Sequence, residues 1–352
     1  MDRIIKYHAA ILEALDLSLA RNPSVYLMGL GVPDPKGIFG TTLGLEKKYG
    51  RQRVFDIPVA ENGLTGVAIG SAITGMRPIL THQRLDFALL AMEQMVNQAA
   101  KWHYMFGGQV SVPVVFRMII GRGWGQGPQH SQALHAMFAH IPGLKVVMPT
   151  TPADAKGLLL AAIEDNNPVI FLEHRWLHNI SGPVPEGYYT VPLGEARVVR
   201  PGRDLTLVAN SYMTLESLRA AERLAQEGIE AEVIDLRSIS PWDKSTVSES
   251  VAKTGRLLVA DIGTKSFGLG AEIITTLLEE NFSLFKAAPS RVCSPDFPAP
   301  TSPALAGHYY PRSAHLLVAA RKLLGRPSAV DELEPLPHVN YDVPDPTFSG
   351  PF

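Results

Sequence analysis

The sequence predicts an α/β protein of two domains, each with a mostly parallel sheet flanked by helices. The chain has 352 residues, and a domain typically takes about 100–200. Its composition, 46% hydrophobic and 19% charged, is sufficient for a substantial buried core. Short apolar runs alternate with segments of helical periodicity along most of the chain. Such alternation is typical of parallel strands joined by helical crossovers.

The first half carries the alternation without a long interruption. Apolar residues at helical spacing predict a first helix over 3–20, and Val25-Tyr-Leu-Met-Gly is typical of a buried strand that ends at glycine. Further strands are predicted at 53–57, 78–81, 112–117, 146–149 and 168–172. Further helices are predicted at 61–75, 86–101, 131–140 and 152–165. These elements make up a first domain over residues 1–185.

The second half repeats the pattern after a Gly- and Pro-rich stretch, which we interpret as a linker over 186–203. Strands are predicted at 205–209, 231–236 and 256–261, and helices at 213–227, 243–253, 270–280 and 313–324. These define a second domain over 204–325. Residues 326–352 hold six prolines and no periodicity, which is typical of a tail without its own core.

Composition argues against several classes of function. The net charge of −2 offers no basic surplus for binding nucleic acid, and no apolar run approaches the ~18 residues of a membrane span. The first residues, Met1-Asp-Arg-Ile-Ile-Lys, lack the apolar core of a signal peptide. Cys293 is the only cysteine, so no internal disulfide can form. We therefore expect a cytoplasmic protein.

Two residues stand out as candidates for chemistry. Glu61 lies where a helix of small residues begins, although a carboxylate there also fits the helix dipole alone. His130 follows a glycine-rich loop after a buried strand, where loops often carry function, although a structural role is the common alternative. The chain has no Walker A loop and no Gly-x-Ser-x-Gly elbow. The loop 121–127 lacks the helix start and downstream acid of a dinucleotide site.

Several blocks in order resemble one family. Glu61-Asn-Gly-Leu-Thr-Gly-Val-Ala-Ile-Gly, Gln129-His-Ser-Gln and Ile141-Pro-Gly-Leu-Lys-Val-Val-Met-Pro are similar to the pyrimidine-binding domain of 2-oxoacid dehydrogenase E1 β subunits. Val233-Ile-Asp-Leu-Arg-Ser-Ile-Ser-Pro-Trp-Asp and Gly268-Leu-Gly-Ala-Glu-Ile resemble the transketolase-type C-terminal domain of the same family. The resemblance covers about residues 5–325 and implies that the two domains have these folds.

The resemblance implies a thiamine diphosphate enzyme. Glu61 matches the carboxyl group that holds the aminopyrimidine in its imino tautomer, so that the cofactor can lose its thiazolium proton. Phe87 matches the aromatic residue against the pyrimidine face. Gln83 occupies a position that is usually apolar. His130 matches the active-site histidine, which would donate or accept a proton when the cofactor-bound carbanion meets its acceptor.

The resemblance also implies a potassium ion near the end of the 152–165 helix. The matching residues are Val114, Ala162, Ile163, Asp165 and Asn167. Backbone carbonyl oxygens at a helix end suit a hard cation. An ordinary helix C-cap by Asn166 or Asn167 explains the same pattern.

The chain contains no Gly-Asp-Gly motif, with which the family holds Mg²⁺ and the diphosphate. The resemblance therefore implies a separate α-like subunit that supplies these ligands, and an α₂β₂ heterotetramer whose site forms between chains. A lipoyl or other acyl carrier is the implied acceptor.

The sequence departs from the family at several places. Gly29-Leu-Gly-Val32 lacks the usual acid, which puts communication between paired sites in doubt. Thr81-His-Gln-Arg84 replaces an apolar segment, and Arg122 stands within the glycine loop. With Arg175, residues His82, Arg84 and Arg122 predict a more polar or anionic substrate.

Three functions remain open at this point. The first is a β subunit that activates the cofactor for 2-oxoacid decarboxylation and acyl transfer to a carrier. The alternative is a β subunit of a split transketolase-like or acyloin-type enzyme that moves a two-carbon unit, which the altered segment 81–84 favours. The third is a scaffold without activity, against which the presence of both Glu61 and His130 argues.

Overall fold

The computed structural model describes residues 3–121, 124–327, 333–335 and 339–343. The chain divides into two compact units. The first comprises residues 1–120 and 137–193, and the second comprises 121–136 and 194–345. The sequence placed the loop 121–136 in the first domain, whereas its residues pack with the second unit. His130 therefore belongs to the second unit and Glu61 to the first.

The strands of the described chain are β1 Arg3–Lys6, β2 Val25–Gly29, β3 Val54–Phe55, β4 Arg77–His82, β5 Val115–Ile120, β6 Lys145–Val147, β7 Val169–His174, β8 Ser181–Val184, β9 Arg197–Arg200, β10 Leu205–Ala209, β11 Ala231–Asp235, β12 Ser238–Ser240, β13 Leu257–Thr264 and β14 Ser290–Ser294.

The α-helices of the described chain are α1 Tyr7–Arg21, α2 Gly37–Gly40, α3 Leu45–Tyr49, α4 Glu61–Ile73, α5 Leu85–Ala88, α6 Ala100–Met105, α7 His135–Ala139, α8 Pro152–Glu164, α9 Tyr212–Gln226, α10 Lys244–Thr254, α11 Leu269–Asn281, α12 Pro303–Tyr309 and α13 Ser313–Leu323. No helix in these described ranges has the length and apolarity that crossing a membrane requires.

The sheet of the first unit is parallel, as predicted. Its strands lie in the order β6-β7-β5-β4-β2-β3, and each neighbouring pair is parallel. Every residue of β2, β5 and β7 is buried, which explains why these strands are mostly apolar and do not alternate with polar residues. The carboxyl ends of β4, β5 and β7 lie at one edge, where ligands bind in open α/β sheets.

The sheet of the second unit has the order β14-β13-β10-β11-β9. The first four strands are parallel to their neighbours, and β9 is antiparallel to β11. β9 lies within the segment 186–203 that the sequence predicted as a linker. Arg197, Val198 and Arg200 pair with β11, so part of this segment is an edge strand of the second unit.

Two predicted helices differ in detail. Residues 3–6 were expected to be helical, but they form β1, which pairs with β8 in an antiparallel ribbon. The helix predicted over 86–101 is divided into α5, a 3₁₀ turn at Leu89–Ala91, a π-helical segment at Gln94–Ala99 and α6. π-helical turns are rare and often occur beside functional sites. Amphipathic periodicity alone could not distinguish these windings.

Candidate active site

Glu61 is the first residue of α4, and its side chain is partly exposed. The preceding residue, Ala60, supplies no side-chain cap. The exposed backbone N–H groups of this first turn favour a negative charge, so the carboxylate is stabilised where it stands. A regular helix start thus fixes the direction from which this carboxyl group can reach a ligand.

Phe87 and Gln83 belong to the same unit as Glu61. α4 packs against the segments Leu89–Ala91 and Gln94–Ala99, which directly follow Phe87 in the chain. Phe87 is 42% exposed. Gln83 is held differently, because its Nε2 donates a hydrogen bond to the Leu30 carbonyl at 2.9 Å.

His82 and Arg84 lie at the carboxyl end of β4, and both are buried. His82 is 5% exposed, and its Nε2 has no hydrogen-bond partner. Burial lowers the pKa of His82 to about 4, so the imidazole is neutral near pH 7. Burial of Arg175, together with the positive charge of Arg84, lowers the pKa of Arg175. Arg122 lies outside the described residues.

A buried ionic cluster occupies the same sheet and was not predicted. The Arg117 guanidinium makes a two-pronged contact with the Glu173 carboxylate, with Nη2 to Oε2 at 2.9 Å. His178 Nε2 lies 3.2 Å from the same oxygen, Oε2. All three side chains are essentially inaccessible. The sequence did contain one indication of this cluster, namely the charge of Arg117 within the otherwise apolar strand predicted at 112–117. A buried charge requires a partner.

The pKa values of this cluster follow from burial and charge. Burial alone would raise the pKa of Glu173, but the charge of Arg117 and hydrogen bonds from His178 and Arg117 lower it overall. Burial lowers the pKa of His178. Its ring stacks on Tyr7 with the centroids 5.8 Å apart. The cluster is therefore an Arg⁺–carboxylate pair with a neutral imidazole beside it.

His130 ends the glycine-rich loop of the second unit. Its backbone N–H donates to the Gly127 carbonyl at 3.4 Å, and its side chain is partly exposed. The sequence predicted a helix over 131–140, but α7 begins only at His135. His130 is thus carried by irregular backbone, and other contacts must hold it in place.

One such contact lies five residues further along. His135 Nε2 lies 2.9 Å from Asp261 Oδ1, and both side chains are fully buried. The same oxygen accepts hydrogen bonds from Gly263 N at 3.1 Å and Asn210 Nδ2 at 3.2 Å. Burial alone would raise the pKa of Asp261, but His135 and these hydrogen bonds lower it. This pair attaches the end of the loop to β13.

Three of the five carbonyl groups predicted to hold potassium accept hydrogen bonds from the protein. Arg77 Nη1 donates to the Ile163 and Asp165 carbonyls at 2.9 and 3.0 Å. The Val114 carbonyl accepts from Val169 N at 3.0 Å. Asn167 donates its backbone N–H to Asp165 Oδ1 at 2.8 Å. Since a carbonyl oxygen has two lone pairs, a potassium ion here would share these oxygens with a guanidinium group.

No cluster of His, Cys, Asp or Glu suited to a metal ion occurs among residues 3–121, 124–327, 333–335 and 339–343.

Comparison with known proteins identifies the family. The transketolase pyrimidine-binding domain matches residues 4–179, and the transketolase C-terminal domain matches residues 194–316. The acetoin:2,6-dichlorophenolindophenol oxidoreductase β subunit of Cupriavidus necator is 45% identical over 92% of this chain and 98% of its own length. This chain belongs to the E1 β-subunit family. The resemblance found in the sequence is thereby confirmed, together with the two-domain α/β fold.

Other E1 β subunits are similarly related. A mitochondrial pyruvate dehydrogenase E1 β subunit of Oryza sativa is 42% identical over 89% of this chain and 84% of its own length. A solved structure described as a split gene transketolase in an inactive β₄ tetramer aligns with a TM-score of 0.73 at 25% identity. It covers 91% of this chain and 98% of the other. E1 β subunits of this family work with an α subunit and depend on thiamine diphosphate.

Proposed function

We propose that this E1 β subunit activates the aminopyrimidine of thiamine diphosphate for 2-oxoacid decarboxylation and acyl transfer to a carrier, and that it acts only with an α subunit. The observation that carries the proposal is Glu61, a partly exposed carboxylate at the first turn of α4. The exposed ring of Phe87 lies in the same unit. A carboxyl group and an aromatic ring are the two groups that an aminopyrimidine needs from this chain.

The residues fit the cofactor. Thiamine diphosphate supplies the electron sink when it is bound. Glu61 would share a proton with the pyrimidine ring nitrogen, and Phe87 would pack against the ring. Gln83 is a polar residue where the family usually has an apolar one. Its amide donates a hydrogen bond to the Leu30 carbonyl, so only the aliphatic part of its side chain would approach the pyrimidine ring. His130 would hold or deliver a proton at the acyl acceptor.

The α subunit would supply the Mg²⁺ and diphosphate ligands, and α₂β₂ would be the assembly. Support comes from apolar side chains that are exposed around α4 in the first unit, namely Val59, Val67, Phe87 and Leu90. Exposed apolar groups that lie near one another often mark a protein interface. A lipoyl or acyl carrier as acceptor, the potassium ion at α8 and a cytoplasmic location belong to the same proposal.

Arg84 and Arg175 bear on the substrate. Burial is the main cause of the lowered pKa of Arg175, and repulsion from the positive charge of Arg84 lowers it further. An anionic group on the substrate would relieve that repulsion. We therefore include a polar or anionic 2-oxoacid in the proposal, with Arg84 and Arg122 as its candidate contacts and His82 as a neutral hydrogen-bonding group.

The test is turnover of the assembled complex. The chain should be co-purified with its α partner and supplied with 2-oxoacids of differing side chain, including a dicarboxylic one, while carbon dioxide release is measured. We expect decarboxylation that requires both subunits and thiamine diphosphate. Acetoin and a ketose phosphate should be supplied in parallel, since one group of relatives is named for acetoin. Turnover of these alone, without carbon dioxide from any 2-oxoacid, would favour the acyloin or transketolase-like alternative.

A further inference from the structure

We propose that Asp342, in the C-terminal segment, is a positioning residue that holds the glycine loop before His130 in its working conformation. The role in catalysis rests on the proposed function above, whereas the contact itself does not. The family domain ends at residue 316, so this residue lies outside the part of the chain that the family domain covers.

The contact joins the segment directly to the loop. Trp124 N donates a hydrogen bond to the Asp342 backbone carbonyl at 2.8 Å, and Gly125 N donates to the Asp342 carboxylate. Trp124 has φ +55° and Gly125 has φ +70°. Successive N–H groups in such turn conformations form a concave site for an anion. Here Asp342 occupies that site, with its backbone carbonyl at Trp124 N and its carboxylate at Gly125 N.

The conformation of Trp124 requires such support. A side chain larger than glycine is unfavourable in the left-handed region, and it persists only where surrounding contacts impose it. The loop then continues through Gly127, whose carbonyl accepts the backbone N–H of His130. A change in backbone conformation at residues 124–125 would therefore move the backbone that carries His130.

Asp342 is itself firmly placed in the second unit. It is 2% exposed, and its N–H donates to Asn340 Oδ1 at 2.9 Å. The neighbouring Tyr341 ring packs against a cluster of buried residues and lies under the Arg312 guanidinium at 4.3 Å. Gly307 leaves room for this ring, because a Cβ there would lie 2.9 Å from Tyr341 Cδ2.

A second attachment lies nearby. Arg312 Nη2 donates to the Leu333 carbonyl at 2.7 Å. The one guanidinium thus contacts both described pieces of the segment, residues 333–335 and 339–343. A segment that only covered apolar surface would not need a buried carboxylate that accepts the Gly125 N–H, beside a backbone carbonyl that accepts the Trp124 N–H.

The experiment compares three variants in the assembled αβ complex: Asp342→Ala, Asp342→Asn and Glu334→Ala. Glu334 is an exposed carboxylate of the same segment and serves as the matched control. Hydrogen exchange of peptides spanning residues 121–130 is measured by mass spectrometry, together with kcat, KM and thiamine diphosphate affinity.

We expect the Gly125 amide to exchange about tenfold faster in Asp342→Ala, as for loss of one hydrogen bond to a charged group. The Trp124 amide donates to the backbone carbonyl of residue 342, which the substitution keeps. Asn keeps an acceptor oxygen and nearly the same shape, so Asp342→Asn should lie between Ala and the wild type. kcat should fall in the same order, with cofactor affinity unchanged. Glu334→Ala should match the wild type in every measurement.

Unchanged exchange in both Asp342 variants would overturn the contact. Faster exchange with unchanged kcat would overturn the positioning role. If Asp342→Ala does not fold, the nearly isosteric Asn variant decides by the same criteria. If the wild-type complex has no 2-oxoacid activity, the proposed function fails, while the exchange result still decides whether Asp342 holds the loop.

Discussion

The two units each bury a carboxylate against a basic side chain, but the partners differ. In the first unit Glu173 faces the Arg117 guanidinium, with a neutral His178 beside it. In the second unit Asp261 faces His135 and also accepts hydrogen bonds from Gly263 and Asn210. The first carboxylate depends on one permanent charge, whereas the second depends on several weaker donors.

Their positions suggest different purposes. Arg117 and Glu173 lie within adjacent parallel strands, β5 and β7, so their contact joins parts of the sheet. His135 begins α7, directly after the loop that carries His130, and Asp261 lies in β13. Glu61, in contrast, starts a regular helix and needs no such attachment. A functional group on irregular backbone requires side-chain anchors that a helix-borne group does not.

Breaking the Arg117–Glu173 pair should have the largest effect on stability. Glu173→Gln leaves the Arg117 charge buried without a counter-charge, and such a loss costs about 3–5 kcal/mol in free energy of unfolding. The control is Arg51→Met, which removes the ion pair between Arg51 and Glu46. Because the Arg51 side chain is 90% exposed, this change should lower the free energy of unfolding by at most about 1 kcal/mol. Chemical denaturation measures both.

A double variant sharpens this result. Arg117→Met with Glu173→Leu removes both charges, and it should destabilise less than Glu173→Gln alone because no buried charge is left without a partner. A cost for Glu173→Gln as small as that of Arg51→Met would contradict the assignment of Arg117–Glu173 as a structural pair.

Breaking the second pair should have a smaller effect on stability, because three donors share Asp261. Asp261→Asn keeps an acceptor oxygen, so we expect a loss of about 1–3 kcal/mol, together with a lower kcat as the loop loosens. Glu222→Gln, an exposed carboxylate-to-amide change on α9, is the control and should alter neither. Urea unfolding and turnover of the complex are the measurements.

The pH dependence of stability tests the second pair. The pKa of Asp261 in the folded protein lies below its ordinary value of 3.8. Its stabilising contribution is therefore present above pH 3.8 and is lost as the pH falls through the folded value. The difference in free energy of unfolding between the wild type and Asp261→Asn should become smaller below pH 3.8. A gap that stays constant or widens in this range would show that the charge of Asp261 is not what stabilises the fold.

Much of the fold could be predicted because most of its helices and strands have a recognisable pattern of apolar residues within their own sequence. The buried strands at 25–29, 168–172 and 205–209 and the helix at 313–324 were predicted to within about two residues, a normal boundary error. The strand β1 was missed because its partner, β8, lies far along the chain, and pairing overrides local periodicity.

The site was predictable only in part. Glu61, Phe87 and His130 could be named from motifs, because each motif is a short contiguous block. The pairing of Arg117 with Glu173 depends on the register of β5 and β7, in which Ile119 lies opposite Glu173. No local pattern contains that register. The contact of Asp342 with Gly125 joins residues far apart in sequence, and it was missed for the same reason.

The central claim is that Glu61 of this chain promotes ionisation of the cofactor at the shared site. Its most direct measurement is the rate at which the thiazolium C2 proton exchanges into deuterated solvent in the assembled αβ complex. Glu61→Gln should slow this exchange by about 10²–10⁴-fold, the usual contribution of a positioned proton-transfer group. Glu46→Gln, the same change in the first turn of α3, should leave it unchanged. Exchange at the wild-type rate in Glu61→Gln would contradict the claim.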